Sequence, residues 1–138
     1  MKNQTKRPQK CISVEKARKL QDDWKESRGK EIERGQGYED TREFWYSLDE
    51  LQEYLDYVRE KSEEQGVKKP GIRIYFAAYP KSNDKKSYST VFLAPTKEKT
   101  STQPFSMEAA SKAEDDNENN YDIDPINYSD GGIPPRNY

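Results

Sequence analysis

Ile72-Arg73-Ile74-Tyr75-Phe76-Ala77-Ala78-Tyr79, bounded by Pro70-Gly71 and Pro80, is the stretch that decides the fold class. β-branched and aromatic residues dominate it, and alternation puts Ile72, Ile74, Phe76 and Ala78 on one face. Arg73, Tyr75, Ala77 and Tyr79 fall on the other. Tyr88-Ser89-Thr90-Val91-Phe92-Leu93-Ala94 follows as a second strand, closed by Pro95, after the polar, basic turn Lys81–Ser87. Two strands joined by a short connection predict an antiparallel hairpin.

Working outward, Ser47-Leu48-Asp49-Glu50 fits a capping box, with the serine oxygen taking the third helical N–H. Leu48, Leu51, Leu55 and Val58 then form a stripe with Tyr54 beside it, and Gly66 ends the helix. Phe44-Trp45-Tyr46 reads as a short buried strand. Upstream, Ser13 caps a helix expected over about 14–28, with Val14, Ala17, Leu20 and Trp24 on its apolar face and Gly29 as its stop. Residues 29–42 read as a loop. The expected fold is α+β: two amphipathic helices packed on a small sheet made of a short strand plus a β-hairpin.

Composition bounds the rest. The chain has 138 residues, room for one domain. Ile, Leu, Val and Phe make up only about 14% of it, a level at which disorder must be weighed. A net charge of −2 with ten Tyr and two Trp argues for a modest core instead. The apolar residues concentrate between Cys11 and Pro95. The domain expected is therefore 12–96, after a disordered lead-in over 1–11. The acidic, low-complexity stretch 97–120 reads as a disordered linker, because nothing in it offsets ordering entropy. A tail, 121–138, restores Ile and Tyr.

Charge alternates in blocks: net +6 over 1–30, −8 over 31–65, +6 over 66–105 and −6 over 106–138. Such blocks favour neutralisation within the molecule or between copies over one uniform field for nucleic acid. One cysteine, Cys11, excludes an intramolecular disulfide. The basic start has no apolar run behind it, and no stretch is long and apolar enough to span a bilayer. A cytoplasmic location is the expectation.

Three segments carry a family resemblance: Gly37-Tyr38-Glu39-Asp40-Thr41-Arg42 leading into Phe44-Trp45-Tyr46-Ser47-Leu48, the strand Gly71–Tyr79, and the Gly-Gly-x-Pro-Pro ending at Pro135. On these the span Ser13–Tyr138 resembles a family of small soluble Bacteroidota proteins to which no activity is assigned. The resemblance therefore implies no functional residue.

Histidine is absent, which removes Ser–His and Cys–His pairs and His-ligated zinc. Asp49, Glu50, Glu53, Asp56 and Glu60 read as a solvated helix face, and Gly35-Gln36-Gly37 lacks the third glycine of a phosphate loop. Cys11 has no base or second thiol near it in sequence. Asp122-x-Asp124 with Asp130-Gly131 has the wrong spacing for a calcium loop. No catalytic residue, metal site or cofactor is expected.

The leading expectation is a non-enzymatic protein-interaction module. Its candidate contacts are Arg73, Tyr75, Tyr79 and Tyr88 on the sheet, and Ile126, Tyr128, Ile133 and Tyr138 in the tail. The partner is another protein or a second copy of the chain. The alternatives are single-stranded nucleic-acid binding through the same aromatic residues, which is disfavoured, and a carboxylate- or lysine-dependent enzyme. The tail itself has three readings: disorder, docking in cis on the sheet, or a linear motif for a partner.

Overall fold

The computed structural model describes residues 4–83, 85–99 and 116–138. In chain order its elements are α1 (Val14–Trp24), a π-helical turn (Lys25–Gly29), α2 (Lys30–Gln36), β1 (Phe44–Trp45), α3 (Leu48–Glu64), β2 (Gly71–Ala78), β3 (Ser89–Glu98), β4 (Asn117–Asn119) and β5 (Asp130–Gly131). The α+β class holds. The chain divides into two compact units, one of residues 1–43 with 132–138 and one of residues 44–131.

In the first unit the helix starts where expected. Ser13 is extended, and its Oγ accepts from the Lys16 N–H at 3.1 Å. The expected stop at Gly29 is overturned. Gly29 is right-handed helical (φ −58°), and the chain winds on through a π turn to Gln36. A Cβ at Gly29 would lie 3.1 Å from Cζ3 of Trp24, so this glycine makes room for a ring within the helix. Gly37, at φ 83°, is the true terminator. The loop expected over 29–42 is thus confined to the residues after α2. No residue of α1 is buried, and Val14 and Leu20 of its apolar face are exposed. The chain's last residues run beside this unit: the Asn137 Oδ1 accepts from Arg42 Nη1 at 2.7 Å, and the Tyr138 N–H donates to Gln21 Oε1 at 2.7 Å.

The second unit is built on the hairpin. β2 and β3 pair antiparallel over their whole length, Ile72 opposite Pro95, Ile74 opposite Leu93 and Phe76 opposite Val91. Pro95 does not close β3, which runs on to Glu98. Pro95 still accepts from the Asn120 N–H at 2.9 Å on the edge away from β2, where its missing donor breaks no bond to the hairpin partner. β4 continues the sheet on that edge, giving the order β2-β3-β4. The tail stays on the same edge through a bridge between Leu93 and Ile126, whose N–H and C=O groups exchange bonds at 2.9 and 3.0 Å. β1 pairs with β5 rather than with the hairpin. Trp45 of β1 is exposed, while Phe44 and Tyr46 pack on the core.

α3 lies over β3. Its Ser47 cap is as read, with Oγ accepting from the Glu50 N–H at 3.0 Å. Tyr54 and Val58 of α3, Val91 and Leu93 of β3, and Ile123 of the tail form the buried core. Folded structure is therefore not limited to 12–96: Asn117–Gly131 contributes two strands and the most buried large side chain, Ile123. Residues 100–115, most of the expected disordered linker, lie outside the described residues, as do residues 1–3 of the lead-in.

Candidate functional site

The direction of each backbone group on β2 follows from the pairing. Leu93 spends its N–H and C=O on Ile126, so its neighbours Phe92 and Ala94 turn theirs toward β2, where Tyr75 and Arg73 stand opposite. Tyr79 likewise donates to the Tyr88 carbonyl at 3.0 Å. Odd-numbered residues of β2 are thus bonded inward. Ile72, Ile74, Phe76 and Ala78 direct their N–H and C=O groups outward from an edge on which no strand pairs among the described residues.

The side chains of the same even-numbered residues stand on the α3 face of the sheet, because their opposite numbers Leu93 and Val91 are in the core. Burial on this face is uneven. Ile72 packs on the core, whereas Ile74 is 69% and Phe76 87% exposed. α3 covers β3 and does not reach the outer strand. On α3, at 100° per residue, Leu48 and Leu55 project from the flank opposite Tyr57. Tyr57 overlooks Ile126 and Tyr128, on the tail side, so Leu48 and Leu55 project toward β2. Leu48 is 83% exposed. Ile74 and Phe76, two residues apart on one face, thus form an exposed apolar ledge beside a strand edge on which no described strand pairs.

The opposite face of the sheet is engaged within the chain. Arg73 donates to Asn119 Oδ1 and to the Asn117 carbonyl, both at 2.9 Å. Asn119 in turn donates to the Tyr75 hydroxyl at 2.8 Å. The Tyr75 ring stacks on Phe92, centroids 5.1 Å apart and planes 19° apart. Beneath them Thr90, Ala94 and Thr96 are buried. Tyr79, at the end of the strand, donates to Asn127 Oδ1 at 3.0 Å, and the Asn127 amide reaches the Val91 carbonyl at 2.7 Å.

The tail edge is closed by three side chains. Asn120, almost wholly buried, donates to Gln65 Oε1 at 2.7 Å and accepts from the Asp122 N–H at 3.2 Å, which turns the chain to insert Ile123. The Tyr54 hydroxyl lies 2.9 Å from the Asp124 carbonyl and 3.2 Å from that of Leu93. Burial pushes its pKa up to about 12, with Tyr57 and Asp124 adding to the shift. Burial also raises that of Tyr46, whose hydroxyl donates to the Asn127 carbonyl at 2.9 Å.

The sequence-predicted contact residues therefore separate. Arg73, Tyr75 and Tyr79 serve contacts inside the second unit, Tyr88 pairs with Tyr79 at the mouth of the hairpin, and Ile126 joins the core. Tyr128 is 90% exposed at φ 50° beside a groove lined by Tyr46, Tyr57, Glu50 and Glu53. Ile133 and Tyr138 belong to the other unit, both exposed. Sequence reasoning missed Asn119 and Asn120, at the end of the stretch read as an acidic linker, and Asn127, inside the tail. Their one legible signal is the return of Ile123, Ile126 and Tyr128 behind the first two and around the third.

Cys11 is exposed and free. Among the described residues no group of His, Cys, Asp and Glu is arranged to hold a metal ion, and no helix is long and apolar enough to cross a membrane. Compared with protein-family models, curated proteins and solved structures, the chain matches none.

Proposed function

We propose that this chain is a non-enzymatic protein-interaction module of the cytoplasm that receives an extended strand of a protein partner along the outer edge of β2. The observation that carries the reading is the coincidence, at Ile74 and Phe76, of outward backbone donors and acceptors on which no described strand pairs with exposed apolar side chains. Strand addition uses both: main-chain bonds supply affinity, and pockets for alternate side chains supply register. Ile74 and Phe76 offer the apolar surface, with Leu48 and Leu55 beyond them. The aromatic residues of the opposite face, expected from sequence to make the contact, are tied to Asn119 and Asn127 and support the strand instead.

The test is affinity capture with the wild-type chain beside an Ile74→Lys bait, each run with and without nuclease. The expected result is a protein retained by the first and lost from the second. That protein must also slow amide hydrogen exchange at Ile72, Ile74, Phe76 and Ala78 when added to the purified chain. Capture that ignores Ile74→Lys, or protection confined to other residues, sinks the reading. Retention abolished by nuclease transfers the weight to nucleic acid.

A further inference from the structure

We infer that the strand received by β2 is β2 of a second copy, so that the chain forms a two-fold symmetric dimer through a continuous six-stranded sheet. The inference rests on the reading of β2 as a strand acceptor and names its partner.

Register is the first argument. Only even-numbered residues of β2 present N–H and C=O groups outward, so in an antiparallel self-pairing an even residue must oppose an even residue. Placing the two-fold axis at Tyr75 satisfies this. Ile72 then opposes Ala78 of the second copy, and Ile74 opposes Phe76. All four outward N–H groups and all four outward carbonyls of each copy are paired. Moving the axis to Ile74 puts Ala78 opposite Pro70, which has no N–H to give, and moving it to Phe76 brings Pro80 opposite Ile72. Pro70 and Pro80 lie symmetrically about Tyr75, so the strand is cut to a length that closes on itself and cannot propagate into a fibre.

Chemistry is the second. Natural edge strands are usually blunted by lysine, proline or a bulge. β2 carries none of these between Gly71 and Ala78. Its single charge, Arg73, stands on the face away from α3, is held by Asn119 and Asn117, and in this register meets Ala77 of the second copy rather than another arginine. No like charges are opposed. On the α3 face the four side chains Ile74 and Phe76 from both copies meet as cross-strand apolar pairs.

Area is the third. The exposed parts of Ile74 and Phe76 in two copies come to roughly 600 Å² of apolar surface, against about 1,200 Å² for the smaller specific interfaces. Because the axis stands perpendicular to the sheet, both α3 helices lie on the same side. Leu48 and Leu55 of each then flank the Ile74–Phe76 quartet, and the paired backbones supply the rest. An interface of this size suits a reversible dimer.

The experiment measures mass in solution and register together. Light scattering at about 100 μM, where a Kd of that order places about half of the chain in the dimer, is expected to give a weight-average mass about 1.5 times the 16.2 kDa chain mass, rising toward twice that mass with concentration. Ile74→Lys is expected to return it to one chain mass with the circular dichroism spectrum unchanged. In a Cys11→Ser background, Tyr75→Cys places two thiols across the axis at a non-hydrogen-bonded pair, close enough to bridge. Mild oxidation is expected to cross-link it several-fold faster than Ser82→Cys, which lies outside the strand. A monomer throughout, or equal cross-linking of the two cysteine variants, overturns the dimer. If the wild type is monomeric while another protein protects the even-numbered amides of β2, the dimer fails and the strand-acceptor reading stands. If neither occurs, both fail.

Discussion

The two edges of the three-stranded sheet meet opposite fates. Along β3 the chain returns over Asn117–Ile126, pairs its backbone, buries Ile123 and caps the joint with Tyr54 and Asn120. Along the outer edge of β2 no strand pairs among the described residues. A strand richer in β-branched and aromatic residues than the tail is left with Ile74 and Phe76 in water. Hydrophobic content therefore does not determine which segment is buried. The tail is buried because its backbone pairs with β3 and because Asn120 supplies the turn that inserts Ile123. β2 is left open because α3 spans one strand width and is already seated over β3.

The largest effect expected on this contrast comes from the closed edge. Ile123→Ala removes a fully buried side chain and should cost about 3 kcal/mol of unfolding free energy. Urea unfolding measures it, and a loss below about 1 kcal/mol would mean that the tail is an accessory rather than part of the core.

Next comes the Tyr54 hydroxyl. Its folded pKa is raised from 10 to about 12, so ionisation is easier in the unfolded chain. The corresponding stability is complete below pH 10 and is lost as pH rises from 10 through 12, by up to about 2.5 kcal/mol. Unfolding midpoints across that window should fall in the wild type and flatten in Tyr54→Phe. A Tyr54→Phe chain with the same slope would place the effect on other groups.

The smallest effect is expected on the open edge. Ile74→Thr, measured at a concentration low enough to keep the chain monomeric, should change stability by no more than about 0.5 kcal/mol, the scale of ordinary surface substitutions. A cost near that of Ile123→Ala would show that Ile74 is covered in the monomer and would remove the contrast between the edges.

Local signals carried a good part of this fold. Ser13 and Ser47 each put a hydroxyl where orphan N–H groups need an acceptor, and both cap their helices. The period of two over Ile72–Tyr79 set the strand, whereas the α3 stripe was right only at Leu51 and Val58: Leu48 and Leu55 are exposed, and the buried face is centred on Tyr54, Val58 and Ser62. Gly29 misled, because a glycine that makes space for the ring of Trp24 looks in sequence like one that ends a helix; only the backbone conformation separates them. Pro95 misled in the same way. A proline ends a strand only where its missing N–H is required, and the side of β3 it faces depends on the pairing.

The strand was legible in sequence, but which of its faces is left exposed was not. Alternation tells which residues share a side, but not whether that side lies under a helix or beyond its reach. Thus Arg73, Tyr75 and Tyr79 are engaged within the second unit, while Ile74 and Phe76 on the other face stand in water. What the sequence determined by itself was everything that depends on near neighbours: the caps, the periodicities, the hairpin and the absence of histidine chemistry. Only the tertiary structure decided the rest. The edge to which Asn117–Ile126 returns, the burial of Asn120 and the exposure of Phe76 depend on contacts between residues far apart in the chain. Their energies arise from area removed from water once the elements meet, and no local pattern encodes that area.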